Sequence, residues 1–485
     1  MVTSETQTTA WHAPLFLDGS WVEDGESSPV YDKFTGREIG RAARATREQV
    51  DRAVRCARRS FERERLDGQR RYQILHDTAS LVESHRQEFI ERIVAEAGFP
   101  IADADNEVSR TIQTLLLSAE EAKRLTGEMV PIEHAPANAH RLAFTIRVPR
   151  GVVCGITSFN SPLNMVTHKL APALASGNTV VIKPPQSTPF SAVLLFQLLL
   201  RAGLPPGHAA LLQGPGAEIG SWLVEHPDIR FFSFTGSTAV GRLLQRSVGL
   251  RPITLELGSI SATIVCDDAD LARAAPRCVG AGFRRAGQVC TSLQRLFVQD
   301  TVVDRFTPLL IEAAGAMKVG DPHDPATVVG PMISEAEAQR AEEWIAEAVA
   351  QGARIVHGGR RKGALFEPTI LAGSEPHMKV MCEEIFAPVL SVIPFRSLED
   401  AVDEVNSVPF GLAAGVFTRD INRAMFASRA LHVGIVHVNE PSSSRVDLIP
   451  FAGVKDSGLG REGPRYAMQE MTEERLITLS LENPR

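Results

Sequence analysis

Cys290 stands in the segment AGQVCTS (residues 286–292), whose glycine and polar residues are typical of a loop. A thiol acts as a nucleophile when it is accessible and readily deprotonated, and a loop provides both conditions better than an apolar strand does. Cys154 and Cys278 fall in apolar strand-like and helix-like segments, so we expect them to be buried packing residues. Cys290 is therefore the candidate nucleophile. Three further cysteines carry no positive signal: Cys56, Cys266 and Cys382.

Two acidic positions are candidates for proton transfer or ligand binding. Glu256 falls inside the apolar segment ITLELG (residues 253–258), where a carboxylate is costly unless it faces a cleft. Partial desolvation would raise its pKa toward the range of a general base. Glu384 belongs to the segment EEIFAP (residues 383–388), which taken alone is typical of a surface turn.

Two segments have the composition of a phosphate or ribose site. In FTGSTAVG (residues 234–241) an apolar strand turns through glycine and hydroxyl residues into a helix, whose first amides can face a pyrophosphate. A capped helix after a tight turn is the alternative. Lys183 ends the run TVVIK before two prolines, which place its ammonium at a sheet edge, either against a ribose or phosphate or in solvent. Gly214, Gly216 and Gly220 do not match GxGxxG, because the last glycine is one residue too far.

The elements that must position these residues alternate between strand and helix. From residue 151 to residue 236, β-branched runs alternate with helical stretches, which predicts right-handed crossovers and a parallel sheet covered on both faces. A second α/β pattern follows Leu257, with predicted strands at residues 263–266, 296–299, 389–394 and 412–418. The predicted fold class is α/β, with a Rossmann-like cofactor domain and a second α/β domain. Such sheets bind ligands at the carboxyl ends of their strands.

The flanking segments have other patterns. Residues 46–121 show helical periodicity that starts at Thr46, a suitable helix cap. Residues 126–149 read as two extended runs, and residues 477–481 as a short strand. These strands are candidates for a sheet that joins subunits.

Composition excludes several classes of partner. The chain has 485 residues, 51 of them Lys or Arg and 58 Asp or Glu, so its net charge is −7 and nothing indicates a nucleic-acid partner. Six cysteines without a CxxC pair suit a reducing compartment. The N-terminus lacks a signal-peptide pattern, and the longest apolar run is too short for a membrane helix. We predict a cytoplasmic protein with no membrane segment and no metal site.

Together, the ordered motifs resemble the aldehyde dehydrogenase superfamily over nearly the whole chain, most closely a bacterial branch with lactaldehyde, aromatic and anionic aldehydes as substrates. The motifs are PRGVVCGITSFNSP, KLAPALASGNTVVIKPPQSTP, FTGSTAVG, LELG, GQVC, EEIFAPV and PFAGVKDSGLGRE, followed by the ending EMTEERLITLSL. The resemblance implies NAD(P)-dependent oxidation of an aldehyde to a carboxylic acid.

The resemblance also implies catalytic roles. Cys290 matches the nucleophile that adds to the aldehyde carbon to give a thiohemiacetal and then a thioester. Asn160 matches the amide that stabilises the oxyanion together with the Cys290 backbone N–H. Glu256 matches the base that activates water to hydrolyse the thioester. Lys169 matches a lysine near the oxyanion site, with a direct role or a structural, pKa-tuning role left open.

The resemblance implies a cofactor site of NAD or NADP. Lys183 would hold the adenosine ribose, Glu384 the nicotinamide ribose, and Phe386 would pack beside the nicotinamide. The other implied cofactor contacts are Thr157, Ser158, Phe159, Gln186, Gly216, Phe234, Thr235, Gly236, Ser237, Val240, Leu257 and Gly258. Gln186 stands where NAD-preferring members often carry a glutamate that repels a ribose 2′-phosphate, so the preference between NAD and NADP is open.

The substrate is less defined by the sequence. Arg110 precedes the apolar run TIQTLLL in the region that lines the family's tunnel, and Arg445 lies in the segment SSSRVD. Either arginine could bind an anionic substrate tail, or could pair with an acidic residue of the protein. Leu163, Val289 and Thr291 are the other expected substrate contacts, and an aromatic or aliphatic aldehyde is equally compatible with an apolar Val289.

Residues 1–125 and 149–256 form the predicted cofactor domain, residues 257–460 the catalytic domain, and residues 126–148 and 461–485 an oligomerisation arm. A homodimer or homotetramer is expected. Three alternatives to a hydrolytic dehydrogenase are an inactive binding or structural member, a coenzyme-A-acylating enzyme and a cofactor-independent thiol esterase.

Overall fold

The structure is a computed structural model that describes residues 10–481. The outermost ends of the predicted domains, residues 1–9 and 482–485, lie outside the described residues. The strands in chain order are β1 (Trp11–Ala13), β2 (Leu15–Leu17), β3 (Ser20–Val22), β4 (Ser27–Tyr31), β5 (Glu38–Ala43), β6 (Met129–Val130), β7 (Arg141–Pro149), β8 (Val152–Ile156), β9 (Thr179–Lys183), β10 (Ala209–Leu211), β11 (Ile229–Thr235), β12 (Ile253–Glu256), β13 (Ala262–Val265), β14 (Arg295–Gln299), β15 (Arg354–His357), β16 (Arg361–Lys362), β17 (Leu365–Phe366), β18 (Thr369–Ala372), β19 (Val389–Phe395), β20 (Phe410–Gly411), β21 (Ala413–Phe417), β22 (Ile435–Val438), β23 (Val454–Lys455), β24 (Gly458–Leu459) and β25 (Thr472–Ser480).

The helices in chain order are α1 (Arg47–Arg63), α2 (Gly68–Ser84), α3 (Arg86–Ala97), α4 (Ile101–Ala122), α5 (Asn164–Ala175), α6 (Phe190–Arg201), α7 (Gly216–Glu225), α8 (Thr238–Ser247), α9 (Leu271–Phe283), α10 (Asp300–Gly315), α11 (Glu335–Ala350), α12 (Lys379–Cys382), α13 (Leu398–Asn406), α14 (Ile421–Ala430) and α15 (Pro464–Glu470). Thr46 caps α1 as predicted, because its side chain accepts from the Gln49 N–H while the Gln49 side chain accepts from the Thr46 N–H.

The first sheet has eight strands in the order β24-β12-β11-β8-β9-β10-β2-β3, with parallel pairing from β12 to β10. Strands β8 and β9 are buried along their whole length, as expected for parallel strands that helices cover on both faces. The register pairs Ile156 with Lys183 and Thr235 with Glu256, so the predicted site residues lie at one edge of the sheet. The α/β prediction is confirmed.

The second sheet has seven strands in the order β15-β18-β19-β14-β13-β21-β22. Its four predicted strands are present as β13, β14, β19 and β21, each within a residue or two of the expected bounds. One boundary differs from the prediction: β24, placed by sequence in the second domain, pairs antiparallel with β12 as an edge strand of the first sheet.

A small third sheet has the order β25-β7-β6. The predicted strand at residues 477–481 starts earlier, at Thr472, because the charged residues that hid its start form cross-strand ion pairs. Glu474 lies opposite Arg147 in the register, with 3.2 Å between the charged atoms, and Glu473 pairs with Arg150 at 3.2 Å. Within residues 10–481, no helix has the length and apolar composition needed to cross a membrane.

Candidate active site

Cys290 follows a tight turn after α9. Arg285, Ala286 and Gly287 have positive φ angles of 52°, 53° and 70°, and a Cβ on Gly287 would lie 2.0 Å from the Ala387 carbonyl oxygen, so the close approach requires glycine. The Cys290 side chain is half-buried. The other cysteines include Cys154 and Cys278, which are fully buried as predicted.

The thiol is not readily deprotonated, contrary to the sequence expectation. Burial raises the pKa of Cys290 to about 12, and the charges of Glu256, Glu384 and Glu462 add to that effect while Arg445 opposes it. The thiol is therefore protonated at neutral pH, and a base must accept its proton when it reacts.

Asn160 follows β8 in the loop that leads to α5. The Ser158 hydroxyl donates to Asn160 Oδ1 at 2.7 Å, which leaves the Asn160 Nδ2 free to donate elsewhere. The Asn160 backbone carbonyl accepts from Arg285 at 2.9 Å. The turn before Cys290 and the loop that carries Asn160 are thus joined by this hydrogen bond.

Glu256 is the last residue of β12, and its side chain is 3% exposed. Among residues 10–481, neither carboxylate oxygen has a hydrogen-bond partner. Burial and the nearby charge of Glu462 raise the pKa of Glu256 well above its ordinary value, although Arg445 and Lys169 oppose the shift. A buried carboxylate without partners and with a raised pKa has the properties of a general base.

Lys169 lies on α5, fully buried. Its Nζ donates to Glu462 Oε1 at 2.8 Å, to the Thr235 hydroxyl at 2.8 Å and to the Ser233 hydroxyl at 3.3 Å. All three donor sites of the ammonium are committed to the protein, which favours the supporting role over the direct one. Burial opposes ionisation of Glu462, but Lys169, His168 and Arg445 outweigh it and lower its pKa.

Lys183 is buried at the carboxyl end of β9, so the solvated alternative is wrong. Burial lowers the pKa of its ammonium to about 8. A Cβ on Gly216 would lie 3.8 Å from the Lys183 Nζ, so the ammonium sits beside the first residue of α7. An ammonium beside a helix N-terminus is suited to hydroxyls or phosphate of a nucleotide. Gln186 lies half-buried in the turn that follows Lys183.

The segment FTGSTAVG forms a strand, a turn and α8. Ser237 caps α8 by accepting from the Val240 N–H. The Phe234 ring covers Gly236, where a Cβ would lie 2.5 Å from the ring. Leu257 packs against Gly241 on the same helix, and the Thr235 hydroxyl is held by Lys169.

Glu384 is a further buried carboxylate of the site. Burial raises its pKa to about 7, and one oxygen accepts from the Ser259 N–H at 2.8 Å. A Cβ on Gly258 would lie 2.6 Å from Glu384 Oε2, so a side chain at this position would clash with the Glu384 carboxylate. The Phe386 and Phe159 rings meet edge to face at 5.9 Å and form an apolar wall. The Thr157 hydroxyl is buried without a hydrogen-bond partner in the described part of the chain. These groups fit a dinucleotide with two ribose–phosphate halves.

Sequence reasoning missed Arg284, which is six residues before Cys290. Arg284 lines a cavity of about 580 Å³ at the surface, together with Asp103, Asn106 and Ser443 among others. Its guanidinium donates to the Ser443 hydroxyl at 2.9 Å, its Nε has no partner, and burial beside Arg285 and Arg110 lowers its pKa to about 10. Within residues 10–481 no carboxylate forms an ion pair with Arg284. The adjacent pair Arg284–Arg285 was the available sequence signal.

Arg110 does not stand free in the tunnel. Its Nε and one terminal nitrogen donate to the two oxygens of Asp447 at 3.0 and 2.6 Å, and His168 Nε2 lies 2.9 Å from the same carboxylate. This is the alternative of an arginine paired with an acid, although Asp447 is 337 residues away in sequence. Arg445 is likewise engaged, with Glu462 at 3.3 Å and with the Phe451 ring at 3.8 Å. Both Arg110 and Arg445 are thus paired with acidic residues of the protein, which was the alternative left open for each.

The remaining predicted substrate contacts differ in position. Leu163 is fully buried in the core, so it does not line an open tunnel. Val289 is half-buried beside the nucleophile. The Thr291 hydroxyl lies 3.2 Å from the Ser443 hydroxyl and helps to hold the loop that contacts Arg284.

Comparison with known proteins adds independent information. The family model described as "Aldehyde dehydrogenase family" matches residues 21–477. A 3-sulfolactaldehyde dehydrogenase of Priestia aryabhattai is 45% identical over 480 residues, which cover 99% of this chain and all of that protein. The NADP-dependent succinate-semialdehyde dehydrogenase of Escherichia coli is 36% identical, with 96% and 97% covered.

A solved structure extends the likeness to three dimensions. The NADP-dependent glyceraldehyde-3-phosphate dehydrogenase of Bacillus halodurans, complexed with NADP, superposes with a TM-score of 0.94 at 35% identity. The match covers 97% of this chain and all of that chain.

Proposed function

Because the chain belongs to the aldehyde dehydrogenase family and oxidises an aldehyde to its carboxylic acid with NAD or NADP, we propose that Cys290, Asn160 and Glu256 carry the chemistry. The observation that carries these roles is the buried Glu256 carboxylate, whose oxygens are unbonded and whose charge acts on the Cys290 thiol. The site has a protonated thiol and a base of raised pKa, which is the combination that covalent catalysis needs.

The first step forms a carbon–sulfur bond. Glu256 accepts the thiol proton as the Cys290 sulfur attacks the aldehyde carbon, and the carbonyl electron pair moves to oxygen. Asn160 Nδ2, left free by the Ser158 hydrogen bond, donates to that oxyanion together with the Cys290 backbone N–H. A bound NAD or NADP, held by Lys183 and Glu384, would supply the hydride acceptor that lets the thiohemiacetal become a thioester as the oxyanion electron pair re-forms the carbonyl. Glu256 releases its proton to solvent.

The second step cleaves the thioester on Cys290. Glu256 accepts a proton from water, the hydroxide oxygen attacks the acyl carbon, and the Cys290 thiolate leaves as the acid forms and takes up the proton held by Glu256. Lys169 does not touch the reacting atoms; it holds Glu462 in its charged form beside Glu256. The intact base supports hydrolysis over transfer of the acyl group to coenzyme A.

Lys183, Glu384 and the turn at residues 235–237 are the proposed contacts of the cofactor. Lys183 would bind the adenosine ribose beside the start of α7, and Glu384 the nicotinamide ribose. Phe159 and Phe386 would exclude water from the nicotinamide side. NAD and NADP are both accepted in this proposal, because Gln186 carries no charge against a 2′-phosphate.

The substrate is proposed to be a short aldehyde with an anionic terminal group, of the sulfonate or carboxylate class that the named substrates of the relatives carry. Arg284 supports this assignment, because its guanidinium faces the cavity without a carboxylate partner among the described residues. A buried, unpaired guanidinium is strongly stabilised by an anion. Ser443 would provide a second donor.

We propose the oligomeric state, the domain organisation and the location of the protein from three different observations. The small sheet exposes Leu142 and its cross-strand partner Leu479 on one face and Leu476 on the other, and these apolar side chains support a homodimer or homotetramer built through β7 and β25. We assign the first sheet to the cofactor domain and the second to the catalytic domain. Six free cysteines support a reducing, cytoplasmic location.

The experiment that tests the function is nicotinamide reduction by the purified protein. Sulfonate-bearing, carboxylate-bearing and neutral aldehydes are compared with NAD and NADP in parallel, with Cys290→Ala as the control. Turnover that disappears in the control, and is fastest with anionic aldehydes, is the expected result. Turnover that survives in Cys290→Ala would contradict the assignment of the nucleophile.

A further inference from the structure

Arg285 occupies a backbone conformation that an arginine rarely adopts. Its φ is 52° and its ψ is 34°, and Ala286 follows with 53° and 38°. Two consecutive non-glycine residues in the left-handed region cost free energy that other contacts must offset. These residues begin the turn that precedes Cys290, so side-chain contacts elsewhere must hold this turn.

The Arg285 side chain supplies those contacts. It is 5% exposed, and its guanidinium lies 3.2 Å from the Glu107 carboxylate, 3.8 Å from the Asp103 carboxylate and 4.4 Å from the centre of the Phe99 ring. One terminal nitrogen donates to the Asn160 carbonyl oxygen at 2.9 Å. A planar guanidinium is suited to joining several acceptors at fixed angles.

Glu107 reaches the same loop from the other end. It is fully buried on α4, and its Oε1 accepts from the N–H groups of Leu163 and Asn164 at 2.9 and 3.1 Å. Its Oε2 faces Arg285. The arginine of this ion pair therefore contacts the loop at Asn160, and the glutamate contacts it at the start of α5.

We propose that Arg285 is a positioning residue for the oxyanion site, and that its ion pair with Glu107 holds Asn160 in position relative to Cys290. Arg285 is buried behind the loop and does not reach the cavity, whereas its neighbour Arg284 lines it. The inference rests on the proposed role of Asn160. Arg284 would contact the substrate, whereas its neighbour Arg285 would act through Asn160.

A positioning role has a consequence that a purely structural role lacks. Stabilisation of the oxyanion depends on placement of the donor to within a fraction of an ångström, whereas attack of a thiol on an alkylating reagent develops no oxyanion. Loss of Arg285 should slow aldehyde oxidation while the alkylation of Cys290 proceeds at its normal rate.

The test is a double-mutant cycle between Arg285 and Asn160, read by the single-turnover rate of NAD(P)H formation. Arg285→Met is always made together with Glu107→Gln, because Arg285→Met alone would leave the buried Glu107 carboxylate without its partner. The pair of substitutions should lower the rate about tenfold in the parent enzyme and less than twofold in the Asn160→Ala background, because coupled residues are not additive. The KM for aldehyde should change less than twofold.

Two controls complete the experiment. Arg295→Met removes another buried arginine, which donates to the carbonyls of Ile260, Glu404 and Val405 far from this loop, and should leave the single-turnover rate unchanged. Iodoacetamide should alkylate Cys290 at equal rates in the parent and in the Arg285 variant.

Equal tenfold losses in both backgrounds, or a parallel loss of alkylation, would overturn the positioning role. If Asn160→Ala alone keeps the full rate, the oxyanion assignment itself fails, and that arm shows it separately.

Discussion

The carboxylate of Glu462 raises the pKa of Glu256, although no hydrogen bond joins the two residues. Glu462 stays charged because Lys169 and Arg445 pair with it at 2.8 and 3.3 Å, and this charge opposes ionisation of the buried Glu256. The proposed base is thus tuned by a residue 206 positions further along the chain, at the end of the motif GLGRE. The basicity of Glu256 is a property of the assembled site.

Glu462→Gln should shift the acidic limb of the pH profile of kcat to lower pH. Removal of the like charge favours the ionised form of Glu256, and the freed cations of Lys169 and Arg445 act in the same direction, so its pKa falls. The measurement is kcat between pH 5 and pH 9. A limb that stays in place or moves to higher pH would contradict the coupling.

Arg284→Met should weaken the use of anionic aldehydes selectively. A lost charge-assisted contact of about 1.5–3 kcal/mol corresponds to a decrease in kcat/KM of roughly ten- to a hundredfold. A neutral aldehyde of the same length should show a change below about threefold. Arg277→Met is the matched control, because Arg277 lines the same cavity but pairs with Glu440. Equal losses for anionic and neutral aldehydes would assign Arg284 a structural role.

Gln186→Glu should increase the preference of the enzyme for NAD over NADP. A carboxylate near the 2′ position would repel the phosphate of NADP, and we expect the KM for NADP to rise at least tenfold while that for NAD changes little. Steady-state kinetics with both cofactors check the result. An unchanged ratio of the two specificities would place the 2′ position away from residue 186.

Asp447→Asn should destabilise the protein and make its stability depend less on pH in the acidic range. Burial opposes ionisation of Asp447, but the bonds from His168 and Arg110 outweigh it and hold its pKa far below the ordinary value of 3.8. A depressed pKa contributes stability that is present above about pH 4 and is lost as the pH falls. Breaking the pair should cost about 3 kcal/mol at pH 7. Thermal unfolding at pH 7 and at about pH 3, below the ordinary pKa of an aspartate, tests this, and equal midpoints for the variant and the parent at pH 7 would exclude it.

The sequence predicted what depends on local patterns. The β-branched runs predicted the first sheet, and the polar loop around Cys290 distinguished it from the other cysteines as the candidate nucleophile. The partner of Arg110 could not be predicted, because Asp447 meets it only after α4 and the loop before β23 have packed together. The start of β25 was missed because Glu473 and Glu474 look like loop residues until Arg150 and Arg147 pair with them.

The raised pKa of the Cys290 thiol could not be predicted from the sequence either. The loop composition around Cys290 indicates accessibility, but burial, together with the charges of three carboxylates from separate segments, raises its pKa. Arg284 and Arg285 are adjacent in sequence, and only the turn between α9 and Cys290 directs one to the cavity and the other to Glu107.

The most direct test of the account is the intact mass of the Glu256→Gln variant after it is mixed with an anionic aldehyde and NAD or NADP at pH 9, where solvent base helps the thiol to react. The account predicts that an acyl group accumulates on Cys290, because the thioester forms and the base for its hydrolysis is absent. The parent enzyme should show little adduct, and Cys290→Ala none. Loss of turnover in Glu256→Gln without an acyl adduct, or an adduct on another cysteine, would contradict the proposed roles of Cys290 and Glu256.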